Sequence, residues 1–103
     1  MTQFDVYRNP VGTMDNVPFV VDVQSDHLDR MPTRIVVPLG RPDIFLQPVR
    51  RLNPVLEVDG ESLILITEQA SALPARVLGK PVASLAEHRN DIIAALDFLF
   101  TGI

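Results

Sequence analysis

One dipeptide constrains the fold more than any other feature of the chain. Asp59-Gly60 lies between Val55-Leu56-Glu57-Val58 and Leu63-Ile64-Leu65-Ile66. Asp-Gly is favoured where a two-residue hairpin loop needs positive φ at both central positions. The two runs are therefore expected to pair as antiparallel neighbours. Leu63 to Ile66 shows no polar alternation, so both faces of that strand are expected to be covered.

The other strands are fainter. Phe4 and Val6 alternate with Asp5 and Tyr7, a short half-buried strand. Residues 9–18 hold Pro10, Gly12, Asp15, Asn16 and Pro18 and read as loop. Phe19, Val21 and Val23 then alternate with Val20, Asp22 and Gln24. Ile35-Val36-Val37 is β-branched throughout and stops at Pro38, which cannot donate to a ladder and so fits a strand end or edge. From Pro38 to Pro54 the chain carries four of its nine prolines and reads as loop, with one helical turn near Asp43-Ile44-Phe45-Leu46. A further short strand, Ala75 to Leu78, follows Pro74 and ends at Gly79.

The last segment is a helix. Ser84-Leu85-Ala86-Glu87 has the spacing of a capping box, and Ser84 as cap should contribute about 1 kcal/mol. At helical spacing Leu85, Ile92, Leu96, Leu99 and Ile103 form one stripe, widened by Ile93 and Phe100, that is expected to pack on the sheet. Phe98 projects elsewhere with Ala94, Ala95 and Asp91. Small alanines beside an off-stripe aromatic suit close approach of a second copy, so Ala94, Ala95 and Phe98 are expected to form a homodimer contact. The expected class is mainly β with one C-terminal helix, its strands mostly antiparallel.

Composition excludes more than it specifies. A chain of 103 residues, 47% hydrophobic and 21% charged, is an ordinary folded domain with one core, so residues 1–103 are read as a single domain. It has no Cys, which removes disulfides, thiolate metal sites and cysteine nucleophiles together. The longest apolar run, Ile92 to Leu96, is far short of the ~20 residues of a membrane span. The start Met-Thr-Gln-Phe-Asp-Val lacks the layout of a secretory signal, and a soluble, cytoplasmic protein without membrane contact is expected.

The net charge of −4 is unevenly spread: residues 30–51 hold five Arg (30, 34, 41, 50 and 51) against the single acid Asp43. That stretch is either a basic patch for an acidic partner or a solvated loop offsetting neighbouring acids. A nucleic-acid binder driven by phosphate contacts would be basic overall, which this chain is not.

No catalytic or cofactor motif emerges. The glycines at 12, 40, 60, 79 and 102 are isolated, so no phosphate-cradling loop exists. His27 and His88 are far apart and lie in no H-E-x-x-H, and none of Ser25, Ser62, Ser71 or Ser84 sits in a G-x-S-x-G elbow. Asp22, Asp26 and Asp29 lie close in sequence without the spacing of a calcium loop, and no metal or other cofactor is expected. The terminus does stand out. Most chains end in frayed polar residues, whereas this one ends Leu99-Phe100-Thr101-Gly102-Ile103. Gly102 can take the left-handed conformation that closes a helix. Ile103 then brings an apolar side chain and the terminal carboxylate to one spot, at the negative end of the helix dipole, where a cationic partner would relieve the mismatch.

These pieces together resemble a family. Gln3-Phe4-Asp5-Val6-Tyr7, Val21-Asp22-Val23-Gln24-Ser25-Asp26 and Arg34-Ile35-Val36-Val37-Pro38-Leu39 are similar to CcdB, the gyrase-poisoning toxins of plasmid and chromosomal toxin–antitoxin modules. Pro54-Val55, Ala72-Leu73-Pro74 and the stretch from Asn90-Asp91-Ile92 to Thr101-Gly102-Ile103 continue the match in order, so the resemblance spans essentially the whole chain. It implies a small CcdB/MazF-like (SH3-like) barrel with a C-terminal helix, acting as a homodimer. It implies a protein that is not an enzyme but binds the A subunit of DNA gyrase and traps the enzyme on cleaved DNA. A cognate CcdA-like antitoxin would neutralise it, and the two together would repress their own operon, touching operator DNA only as that complex. Carried over by position, the gyrase-binding residues are His27, Leu28, Asp97, Thr101, Gly102 and Ile103. The antitoxin-binding residues are Arg8, Asp22, Gln24, Ser25 and Asp26.

Three departures bear on this. The best-known members carry Trp at the position of Thr101, Asn at that of Asp97 and an aliphatic residue at that of His27. An indole on a partner's Arg would add ~0.5–2 kcal/mol of cation–π attraction that Thr101 cannot supply. Gyrase binding is then expected to rest on Gly102 and Ile103, and to be weaker or tuned to another gyrase. The alternatives are a MazF/Kid-type endoribonuclease toxin, for which Arg30, Arg34, Asp26 and His88 are the available parts, and a non-toxic, antitoxin-binding relic.

Overall fold

A computed structural model describes residues 1–11, 16–44 and 47–102. Among these residues, seven strands form one sheet: β1 (Asp5–Arg8), β2 (Phe19–Asp22), β3 (Thr33–Gly40), β4 (Val55–Val58), β5 (Glu61–Leu65), β6 (Ser71–Pro74) and β7 (Ala83–Ser84). One helix, α1 (Arg89–Thr101), follows them. The strand order is β4-β5-β3-β2-β1-β7, with β6 on a second part of β3, and every pairing is antiparallel. The architecture is a nearly closed, mainly antiparallel β barrel with one C-terminal helix, as the sequence implies.

The hairpin forms where Asp59-Gly60 places it. Both residues have positive φ, 50° and 84°, and Val58 pairs with Glu61 across the turn. Leu63, Ile64 and Leu65 are all buried, so both faces of β5 are covered.

The main core lies between one face of the sheet and α1. Val6, Val21, Val37, Leu39, Leu56, Leu63 and Leu65 meet Leu85, Ile92 and Ala95 there. A smaller cluster of Tyr7, Val20, Val36 and Leu78, with Leu73 against it, lies apart from that core. In β1, Val6 and Tyr7 point to opposite sides of the sheet by the two-residue period of a strand, yet both are 0% exposed. The half-buried strand expected from the sequence is thus covered on both faces.

Four local expectations are corrected. β3 does not stop at Pro38 but runs to Gly40. Its second partner changes from β6, paired up to Val36, to β5, paired from Leu39. Pro38 falls in that gap, where its carbonyl accepts from Ile66 N–H and a missing donor costs nothing. Residues 75–78 are not a strand: the strand precedes them as β6, and Ala75–Val77 form a 3₁₀ turn whose Ala75 N–H donates to the Pro32 carbonyl.

The helix also starts late. Ser84 is used by β7, paired with Asp5, and its Oγ accepts from Ala86 N–H at 3.2 Å, heading a 3₁₀ turn at Ala86–His88 before α1 begins. Finally, the stripe holds at Leu85, Ile92, Ile93 and Leu96, but its edges shift: Ala95 joins the buried face and Phe100 leaves it. Ile92 and Ala95 are buried, whereas Phe100 is 77% exposed. The Pro42–Ile44 turn matches the helical turn expected near Asp43, while Phe45 and Leu46 lie outside the described residues.

Tyr7 gives a measurable consequence. Its hydroxyl is buried without a hydrogen-bond partner among the described residues, and burial, aided by Asp5 and Asp22, raises its pKa above 10.0. The folded state holds that proton more tightly than the unfolded one. This contribution is therefore fully present below about pH 10 and lost as pH rises through the native value. Tyr7 is the chain's one tyrosine, so tyrosinate absorbance reports it alone and should titrate above pH 10 with loss of structure. Tyr7→Phe should remove that alkaline step and change neutral-pH stability by less than about 1 kcal/mol.

Candidate partner-binding surface

The surface residues named by the sequence rest on a buried ion pair. Asp22 ends β2 and Arg34 lies near the start of β3, both 0% exposed. Arg34 Nε donates to Asp22 Oδ2 at 2.8 Å, and Nη2 stands 2.7 Å from the same oxygen. Nη2 also reaches the Gln24 carbonyl at 3.5 Å. The other carboxylate oxygen accepts from Gln24 N–H at 3.0 Å. Burial pushes the Asp22 carboxyl above its ordinary range, against the opposing pull of Arg34 and the Gln24 N–H.

Beyond Gln24 the chain emerges as an exposed loop. Asp26–Leu28 form a 3₁₀ turn headed by Ser25, whose Oγ accepts from His27 N–H. Every residue from Asp26 to Thr33 is exposed. His27, Leu28, Asp29, Arg30, Met31 and Pro32 line an open cleft of about 300 Å³. Asp26 Oδ1 accepts from Gln3 N–H at 2.7 Å, and the Gln3 side chain bonds both the Val23 carbonyl and Arg89 of α1. The loop is thereby tied to the first turn of the helix.

The other candidate surface is the far end of α1. Gly102 adopts φ 73°, and its N–H donates to the Phe98 carbonyl at 2.9 Å, an αL cap as expected from the sequence. The Thr101 hydroxyl donates to the Asp97 carbonyl at 2.6 Å. Asp97, Phe100, Thr101 and Gly102 are exposed. Ile103 lies outside the described residues. A terminus sealed inside the protein would have removed this surface from consideration, and Thr101 and Gly102 are open to approach.

Several expected contacts are corrected. Ala95 is 0% exposed in the protein's own core and cannot meet a second copy as placed, whereas Ala94 is exposed and Phe98 is half-buried. The Phe98 ring is partly covered by Arg51, whose guanidinium carbon stands 4.9 Å from its centroid. Asp22 and Gln24, expected to face an antitoxin, are 0% and 8% exposed with their polar atoms engaged inside. Arg8, Ser25 and Asp26 remain accessible. Of the parts considered for RNA cleavage, Arg34 is buried against Asp22 and out of reach of a phosphate. His88 faces Asp91 at 4.0 Å on α1's first turn.

Among the described residues, no three His, Asp or Glu stand together as a metal site, so Asp22, Asp26 and Asp29 do not gather around an ion. No helix there is long and apolar enough to cross a membrane. Gln3 and the Asp22–Arg34 pair were not singled out by the sequence for what they do. The available signal was an acid and an arginine on two otherwise β-branched strands.

With this geometry in place, comparison with family models is decisive. The model described as CcdB protein matches residues 3–102. The chain belongs to the CcdB family, the toxins of toxin–antitoxin modules.

Proposed function

We propose that this chain is a gyrase poison: it binds the A subunit of DNA gyrase and traps the enzyme on cleaved DNA. It acts as a cytoplasmic homodimer and catalyses nothing itself. The observation that carries the reading is an exposed, glycine-capped helix end in a chain matched to the family over residues 3–102. The docking residues are Asp97, Thr101, Gly102 and Ile103 at that end, with His27 and Leu28 on the loop after β2. A cognate antitoxin covers Arg8, Ser25 and Asp26, and together the two proteins repress their operon. Ala94 and Phe98 contribute to the contact between protomers. Because Thr101 supplies no indole and Asp97 and His27 add polarity, binding is weaker, or tuned to a different gyrase, than in members with Trp, Asn and an aliphatic residue there.

Titration of purified gyrase A subunit tests this. Wild-type protein should bind saturably. Leu28 is 49% exposed in the free protein, so Leu28→Glu should leave Tm nearly unchanged and weaken binding about tenfold or more. Unchanged affinity would remove the loop from the site. Absence of wild-type binding would overturn the gyrase reading.

A further inference from the structure

The loop that carries His27 and Leu28 contributes no buried side chain between Asp26 and Thr33. Apolar packing therefore cannot fix its shape. Beyond the turn's own bonds, three hydrogen bonds hold it to the protein among the described residues. Gln3 N–H donates to Asp26 Oδ1 at 2.7 Å, Gln24 Nε2 to the Leu28 carbonyl at 3.0 Å, and Ala75 N–H to the Pro32 carbonyl at 2.9 Å. Only the second acts at the middle of the segment. The Leu28 carbonyl it holds also accepts Met31 N–H at 3.2 Å, closing the next turn.

Gln24 is itself fixed on every side. Its Oε1 accepts from Ile35 N–H at 3.0 Å, its own N–H donates to Asp22 Oδ1, and its carbonyl faces Arg34 Nη2. Its amide thus bridges β3 and the loop, and the buried ion pair clamps its backbone. We infer that Gln24 is a positioning residue for partner binding, transmitting the rigid Asp22–Arg34 pair to Leu28 so that the exposed loop is held in one shape before docking. This rests on the gyrase reading for the identity of the partner, not for the mechanical role.

Gln24→Met keeps the side chain's length and removes both amide bonds. Gln24→Glu can regain them only as the neutral acid, which donates to the Leu28 carbonyl and accepts from Ile35 N–H. Burial and the nearby Asp22 carboxylate favour that neutral form, and the Arg34 guanidinium opposes it. Hydrogen exchange and A-subunit titration are read on wild type and both variants, with affinities normalised to wild type at each pH.

In Gln24→Met, exchange should quicken at Leu28 and Met31 while β1, β2 and β5 stay protected, and Kd should rise about tenfold. Gln24→Glu should be about tenfold weaker near pH 8 and recover most of that loss near pH 5. Protected loop amides in Gln24→Met would overturn the inference. So would exchange rising equally across all strands, because Gln24 would then be a fold residue only. Wild type that fails to bind the A subunit overturns the gyrase reading instead, and the exchange data still decide the positioning role.

Discussion

Replacing Arg34 with methionine is expected to cost about 3–5 kcal/mol, a large part of the ~5–15 kcal/mol that holds a domain of this size folded. The loss comes less from the missing attraction than from what remains. Asp22 would keep a carboxylate at 0% exposure with only Gln24 N–H to stabilise it. The double variant Asp22→Leu/Arg34→Met removes both charges and should recover most of the loss. Urea midpoints check this, and because a shift in midpoint at constant slope reads stability directly, the two variants can be compared without a full extrapolation. If Arg34→Met alone does not fold, recovery in the double variant still carries the result.

The pH dependence of this pair has a definite sign. The native pKa of Asp22 is raised, chiefly by burial, so between the unfolded and native values the folded state binds the extra proton. Ionising Asp22 thus subtracts stability as pH rises through that window. Mild acid should not unfold the protein through this group, unlike a surface salt bridge whose carboxylate pKa is depressed.

The second large effect is functional. Deleting Gly102 and Ile103 should abolish growth inhibition on expression while Tm falls by no more than about 4–8 °C. Gly102 is exposed and, among the described residues, gives the fold one hydrogen bond, to Phe98, so its loss frays the last turn at a cost of about 1 kcal/mol. That shifts Tm by about 4–8 °C at most for a domain of this length. A truncated protein that still arrests growth would move the site away from the helix end.

How much of this was legible follows from the range over which each feature is determined. The hairpin was readable because Asp59-Gly60 and its flanks fix their pairing within a dozen residues. The αL cap was readable because Gly102 alone can be left-handed without strain. Pro38 misled because its fitness depends on a change of partner strand that no local pattern records. The helix start misled because Ser84, whose neighbours spell a capping box, was already engaged by β1 through Asp5. In the site, Thr101 and Leu28 were named through the family resemblance alone, and their exposure is a finding of the structure. The Asp22–Arg34 pair was not legible, since strand periodicity cannot show that both faces of β2 are covered. Ala95 was assigned outward because it was grouped with Ala94 and Phe98 rather than with the apolar stripe, and the helix turns it inward beside Ile92.

If this protein poisons gyrase through its exposed helix end, DNA cleavage by purified gyrase must respond to it. Full-length protein should make cleaved DNA accumulate in a dose-dependent manner, and the variant lacking Gly102 and Ile103 should not. Supercoiling that proceeds normally, with no cleaved DNA at saturating full-length protein, would contradict it.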